Sequence, residues 1–309
     1  MRSRILGWTI GIALLIALPP VLLALGQPFY VDLVRRIMIL AIAAASLNLI
    51  LGYGGMVSFG HAAYLGIGAY AVGILAFYGV TNGWLQWAVA IGASALVALA
   101  IGAVSIRTSG IYFIMITLAF TQMLYYLGIS LAEFGGDDGM RLKRRSQFPL
   151  VDLGDPVQFY YTALVLMLIA VYLVYRIVNS RFGMVLRASK SNEGRSRAIG
   201  FSPYPYRLAA FVIAGAMCGL AGALYANHTN YITPNLMSWQ QSGDMMFMVI
   251  LGGMASTAGP VLGAFALLLV EDLLSGWTEH WQVILGPLLI LSVIFFRRGL
   301  AGIFYKPDA

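Results

Sequence analysis

Asn48, Ser58, His61, Thr117, Thr121 and Gln122 are mildly polar side chains set within apolar stretches. In hydrocarbon such groups need partners, so each reads either as an interhelical hydrogen-bond partner or as a weak ligand contact. His61 adds an imidazole that could titrate or bind metal. The other histidines, His228 and His280, complete no H-E-x-x-H or similar spacing, so no metal site is expected. Ser58 stands in Ser-Phe-Gly-His rather than G-x-S-x-G, and no nucleophilic triad assembles by motif. None of the three lysines, Lys143, Lys190 and Lys306, follows a glycine, so the loop that wraps nucleotide phosphates is absent. The lone cysteine, Cys218, excludes an intrachain disulfide and reads as a small core residue. An enzyme, a nucleotide hydrolase and a cofactor protein are therefore all disfavoured.

These side chains must be positioned by membrane helices. The chain has 309 residues, of which 60% are hydrophobic and 10% charged, whereas soluble domains carry roughly 25% charged residues. Too few polar side chains exist to cover a water-facing surface. The expected fold is all-α, a polytopic bundle of about ten spans, because a span takes about 20 apolar residues. Apolar runs fall at about 5–25, 33–51, 57–78, 84–106, 110–131, 158–178, 207–226, 243–254, 259–275 and 281–296. The eighth is too short for a straight span and reads as broken, tilted or re-entrant. Pro19-Pro20 and further apolar residues stand where a signal peptide would carry its cleavage region, so the first run is expected to be an uncleaved span.

The net charge of +7 reads as orientation rather than as a nucleic-acid surface, because the basic residues are scattered among apolar spans. With the amino terminus inside, alternation places thirteen of the 19 basic residues on the cytoplasmic side: Arg2, Arg4, Arg107, Arg176, Arg181, Arg187, Lys190, Arg195, Arg197, Arg207, Arg297, Arg298 and Lys306. Ten of the 12 acids fall outside, leaving Glu193 and Asp308 inside. Both termini are then cytoplasmic. Every charge can be placed near a span end, Glu271-Asp272 being the most buried-looking pair, so an ion-coupled carrier lacks its usual central charge.

Two loops are long enough to hold structure. The outer loop, 132–157, carries Arg141, Lys143, Arg144 and Arg145 among Glu133, Asp137, Asp138, Asp152 and Asp155. The cytoplasmic loop, 179–207, is expected to form a short helix over about 181–199, ended by Gly200, with Pro203 and Pro205 forcing an extended exit. It reads as a basic segment on anionic lipid or as a docking helix for another protein. Among the 35 glycines, Gly54-Gly55-Met56-Val57-Ser58 and Gly252-Gly253-Met254-Ala255-Ser256 share a core that reads as close packing or as an internal repeat.

Four blocks, in order, resemble the permease subunits of branched-chain amino acid ABC importers, the LivM type. They are Leu47-Asn-Leu-Ile-Leu-Gly-Tyr-Gly-Gly-Met-Val-Ser-Phe-Gly-His-Ala-Ala-Tyr; Arg107-Thr-Ser-Gly-Ile-Tyr-Phe with Thr117-Leu-Ala-Phe-Thr-Gln-Met; Gly135-Gly-Asp-Asp-Gly-Met; and Arg197-Ala-Ile-Gly through Leu208-Ala-Ala-Phe to Gly252-Gly-Met and Gly259-Pro-Val-Leu-Gly-Ala. The resemblance covers about 47–264. It implies a single permease domain over 1–309 in the bacterial inner membrane, without a cofactor. Its implied partners are a second homologous permease subunit, two ATP-binding cassette ATPase subunits, a periplasmic solute-binding protein and membrane lipid, with no nucleic acid.

The same resemblance implies that 179–207 couples to the ATPase through Arg187, Lys190, Glu193, Arg195, Arg197, Ala198 and Gly200, although Gly194-Arg195 replaces the small residues that usually follow the acid. It makes Asn48, Ser58, His61, Thr121 and Gln122 candidates for a weakly polar path. Asp137, Asp138, Arg144 and Arg145 become candidates for contact with the binding protein, a plain structured loop being the other reading. Cargo is branched-chain amino acids or, on the same architecture, urea, short amides or aromatic acids. An autonomous ion-coupled carrier is the rival from another class.

Overall fold

In the computed structural model, which describes residues 2–149, 151–295 and 299–304, the first helix, α1 (Arg2–Ala24), holds Pro19 and Pro20 in its interior. Proline has no N–H, so the carbonyls four residues earlier, on Leu15 and Ile16, lose their helical donors. The hydroxyls of Tyr160 and Tyr161 donate to these oxygens instead, at 2.9 and 3.1 Å. Two adjacent tyrosines on a later helix thus satisfy what two adjacent prolines leave bare.

The second helix, α2 (Pro28–Asn48), starts with proline at its first position, where no N–H is needed. Residues 37–48 are buried on every side, as expected of a helix without a polar face. It is the centre of the bundle, packed against α6 (Pro156–Val178), α9 (Pro203–Thr229), α10 (Trp239–Gly252) and α11 (Gly259–Ser275). At its end the backbone widens into a π-turn over Leu49–Tyr53. The remaining helices are α3 (His61–Phe77), α4 (Gly83–Ser105), α5 (Ile111–Ser130), α7 (Arg181–Ser191), α8 (Glu193–Ala198), α12 (Trp281–Phe295) and α13 (Ala301–Phe304).

α9 packs against both α3 and α4. A Cβ on Gly68 would lie 2.0 Å from the Gly219 carbonyl oxygen, and one on Gly222 would lie 1.9 Å from that of Leu65. Only glycine permits backbones this close, which is how helices gain contact in lipid, where burial gives no drive. The lone thiol, Cys218, is buried in the same helix as expected.

All ten expected apolar runs coincide with helices. Among the described residues, five stretches are long and apolar enough to cross a membrane: Pro28–Tyr53, Gly83–Ser105, Ile111–Ser130, Pro156–Val178 and Pro203–Thr229. The eighth run is indeed short: α10 has 14 residues, about 21 Å at 1.5 Å per residue. The third helix begins at His61, later than the hydropathy suggested, after a non-helical stretch in which Gly55 takes a φ of +69°. Arg297, Arg298, Lys306 and Asp308, counted as cytoplasmic charges, lie outside the described residues.

The loop 132–157 is built rather than loose. A 3-10 turn, Ala132–Phe134, leads to β1 (Met140–Arg141), which pairs antiparallel with β2 (Tyr231–Ile232) in the register Met140–Ile232 and Arg141–Tyr231. Asp155 caps α6 by accepting from the Val157 N–H at 2.9 Å. Near the same end of the bundle, buried Arg35 pairs with Asp32, donates to His228 Nδ1 at 3.0 Å and lies 4.6 Å from the Phe159 ring centre. Arg36 faces Glu271 of α11 at 3.7 Å.

Candidate functional site

Gln122 projects from α5, the least embedded of the long helices, where Tyr112, Met115, Met123 and Tyr126 are exposed. Its carboxamide makes no hydrogen bond with any described residue. In hydrocarbon an unpaired amide costs about 4–8 kcal/mol, so this group needs water, solute or another chain beside it. It lines a cleft of about 260 Å³ together with Tyr125, Asn235, Ser238, Trp239 and the pair Gln240-Gln241. The second wall is a 3-10 turn, Pro234–Met237, running into the first turn of α10. Ser238 caps that helix by accepting from the Gln241 N–H at 3.4 Å, and the Tyr125 hydroxyl donates to Asn235 Oδ1 at 3.4 Å. No lining side chain carries a charge. The cleft can therefore meet the polar ends of a neutral or zwitterionic solute without holding it through an ion pair.

The other path candidates do not line the cleft. Ser58 accepts from the Gly60 N–H at 3.1 Å, and Thr121 donates to the Thr117 carbonyl at 2.9 Å. His61 is fully buried at the start of α3. The Ser46 hydroxyl donates to the Ala43 carbonyl at 2.7 Å, so His61 Nε2–H donates to Ser46 Oγ, also at 2.7 Å. Its Nδ1 has no partner among the described residues. Asn48 holds the loop between α10 and α11, donating to the Ser256 carbonyl at 2.8 Å and accepting from the Ala255 N–H at 3.1 Å. Ser58, His61 and Thr121 meet at the turn 58–61, where Thr121 also donates to the Phe59 carbonyl at 3.3 Å and the Phe59 ring lies 6.5 Å from that of Trp239; Asn48 stands apart, and of the five Gln122 lines the cleft. Sequence reasoning passed over Tyr125, Asn235, Ser238, Gln240 and Gln241; the polar run Ser238 to Gln241 at the start of a short apolar helix was the available signal.

A second candidate site lies on the loop 179–207. The single helix expected over 181–199 is two, because the Asn192 side chain accepts from the Arg195 N–H at 2.9 Å and starts α8 as a new helix. The extended exit expected at Pro203 and Pro205 is replaced by helix. Both prolines fall in the first turn of α9, where their missing N–H groups cost nothing. Gly200 ends α8 as expected, with a φ of +91°.

Arg187, Lys190, Arg195, Arg197, Ala198 and Gly200 are exposed here, alongside apolar Met184, Ile199 and Phe201. Glu193 is turned inward to an ion-pair network, accepting from Arg197 at 2.6 Å and from Arg207 at 2.7 Å. Lys190 points the other way, and its Nζ donates to the Gly52 carbonyl at 2.7 Å.

In the loop 132–157 Asp137, Asp138 and Arg144 are exposed. Arg145 is occupied within the loop, donating to Asn230 Oδ1 at 3.0 Å and to the Leu153 carbonyl at 2.7 Å. The described residues contain no group of three or more histidine, cysteine or acidic side chains able to hold a metal.

The family profile described as "Branched-chain amino acid transport system / permease component" matches residues 29–293. The chain belongs to this permease family. It is 27% identical over 307 residues to the high-affinity branched-chain amino acid transport system permease protein LivM of Escherichia coli (strain K12), covering 90% of this chain and 72% of that protein. A probable branched-chain amino acid transport permease protein LivM of Methanocaldococcus jannaschii is 31% identical over 144 residues, 45% of this chain and 42% of that one. The permease protein LivH of E. coli K12 is 23% identical over 284 residues, 85% and 91% of the two chains. No solved structure matches. The LivM-type resemblance noted in the sequence is thus borne out, and the permease's apolar helices make it a membrane protein.

Proposed function

We propose that the chain is the permease subunit of an ABC importer for branched-chain amino acids, residing in a bacterial inner membrane. The observation that carries this reading is the likeness to LivM along 90% of the chain. On this reading ten apolar helices, the short α10 among them, lie in the membrane with both termini cytoplasmic, the outer loop 132–157 faces the solute-binding protein, and the loop 179–207 meets the ATPase. The two sites divide the work. The neutral cleft between the middle of α5 and the first turn of α10 receives the zwitterion. The α7–α8 surface presents arginines and apolar side chains to a soluble partner, a mixture that steers and seats a docking protein. No step breaks a bond in the solute; transport is an exchange between two packings of the same helices.

Isolation of the tagged chain in mild detergent, with mass spectrometry of every stoichiometric partner, tests the assembly. Two ATPase subunits and a second permease are expected, and the binding protein recovered with them names the cargo by its ligand. Recovery of the chain alone, under conditions that keep a known transporter intact, would overturn the reading. Reporters fused near 155 and 192 are expected on opposite sides of the membrane, and finding both on one side would break the ten-span arrangement.

A further inference from the structure

The π-turn that ends α2 is held from two sides by side chains belonging to different parts of the chain. From the cytoplasmic loop, Lys190 of α7 donates to the Gly52 carbonyl at 2.7 Å. Its methylene stem lies on Gly55, where an added Cβ would fall 2.8 Å from Lys190 Cγ. From within α2, Asn48 grips the loop between α10 and α11 through Ser256 and Ala255. Gly52 fits between the two grips: a Cβ there would lie 2.0 Å from Asn48 Oδ1 and 2.6 Å from the Ala255 nitrogen. The two Gly-Gly-Met-x-Ser segments, 54–58 and 252–256, are the chain leaving this turn and the loop that Asn48 holds. Each turns at its second glycine, Gly55 at φ +69° and Gly253 at φ +114°.

We propose that Lys190 and Asn48 are positioning residues of one joint, which carries movement of the α7–α8 surface into α2 and the α10–α11 loop. This rests on the importer reading, in which that surface meets the ATPase. The physical basis is threefold. A π-turn holds one residue more than an α-turn, so it can absorb or release a shift of register at a helix end. A lysine at a helix C-terminus is attracted by the carbonyls there, and as a single-point donor it can pull on one of them. Beyond the turn, α2 is packed on all sides, and a close-packed helix passes displacement on rather than absorbing it. The Asn48 grip then ties the same displacement to α10, whose first turn forms a wall of the cleft.

The test uses the complete transporter, with both permeases, the ATPase subunits and the binding protein, reconstituted in liposomes. Leucine uptake and ATP hydrolysis are measured together. Lys190→Met keeps the stem and removes the ammonium. It is expected to move about fivefold less solute per ATP hydrolysed than wild type, the lower end of coupling between distant sites, at equal recovery of ATPase subunits. Lys190→Arg, which restores a donor, is expected to recover part of the ratio. Asn48→Asp, which loses the donor to Ser256, should lower the ratio too, and combining it with Lys190→Met should lower it no further, as for two parts of one element.

An unchanged ratio in Lys190→Met would overturn the joint, as would a loss explained wholly by failed ATPase assembly, or fully additive effects in the double variant. Absence of ATP-dependent uptake of any solute by the assembled wild-type complex would overturn the importer reading and the joint with it.

Discussion

Arg207, in the second turn of α9, and Glu193, at the start of α8, are joined by Nη1 and Oε2 at 2.7 Å, while Arg207 Nη2 also donates to the Ser189 carbonyl of α7 at 3.0 Å. One guanidinium thereby ties the two short helices α7 and α8 to the long helix that follows them.

Replacing Glu193 with glutamine keeps the shape of this knot and removes its charge. The carboxylate is partly open to water, so screening leaves a loss of ~1 kcal/mol. Amide hydrogen exchange across 193–199 is expected to rise about fivefold, with the transmembrane helices unchanged. Equal exchange in the two proteins would show that the ion pair holds nothing.

Gly200 isolates a backbone effect, because an added Cβ meets no atom within 4 Å and only its φ of +91° resists substitution. Gly200→Ala should cost about 1–2 kcal/mol locally, and Gly200→Pro more, since proline fixes φ near −65°. Membrane insertion is expected to persist in both while uptake falls, most in the proline variant. Normal uptake in Gly200→Pro would remove this turn from the mechanism.

Arg144 and Arg145 are neighbours with separable roles. Arg145→Gln removes charge-assisted hydrogen bonds worth roughly 1.5–3 kcal/mol each, so protease cleavage within 132–157 should speed up. Arg144→Glu should leave that cleavage rate unchanged and weaken binding-protein docking. Unaltered docking affinity would assign Arg144 to plain loop surface.

The unpaired carboxamide in the cleft gives the most direct test of the path. Gln122→Leu is expected to lower uptake about tenfold, near 1.4 kcal/mol, the scale of one lost polar contact. Gln122→Asn should fall between the two. Uptake equal to wild type in the leucine variant, at matched expression, would place the solute elsewhere.

The helices were legible in the sequence because lipid demands long apolar runs, and every expected run became a helix. The errors fall where local chemistry overrides hydropathy. Asn192 can cap a new helix, so the one helix expected over 181–199 became two; Pro203 and Pro205 open a helix because a first turn has no use for their N–H groups. The sites were less legible. Asn48 and Gln122 look alike in sequence, each an amide in an apolar stretch. Which one spends its amide on backbone and which keeps it free depends on contacts more than 200 residues away for Asn48, and on the far wall of the cleft for Gln122. Lys190 carried a still weaker signal, since nothing near it in the chain points to the Gly52 carbonyl.

The pairing of Pro19 and Pro20 with Tyr160 and Tyr161 also bears on biogenesis. The ribosome delivers α1 well before α6, so the Leu15 and Ile16 carbonyls emerge with their eventual donors still unsynthesised. Bare carbonyls in hydrocarbon are costly. During that interval α1 belongs at the insertion machinery or the headgroup region, and it settles into place when the sixth helix arrives. A helix made well before α6 is, on this account, among the later ones to dock.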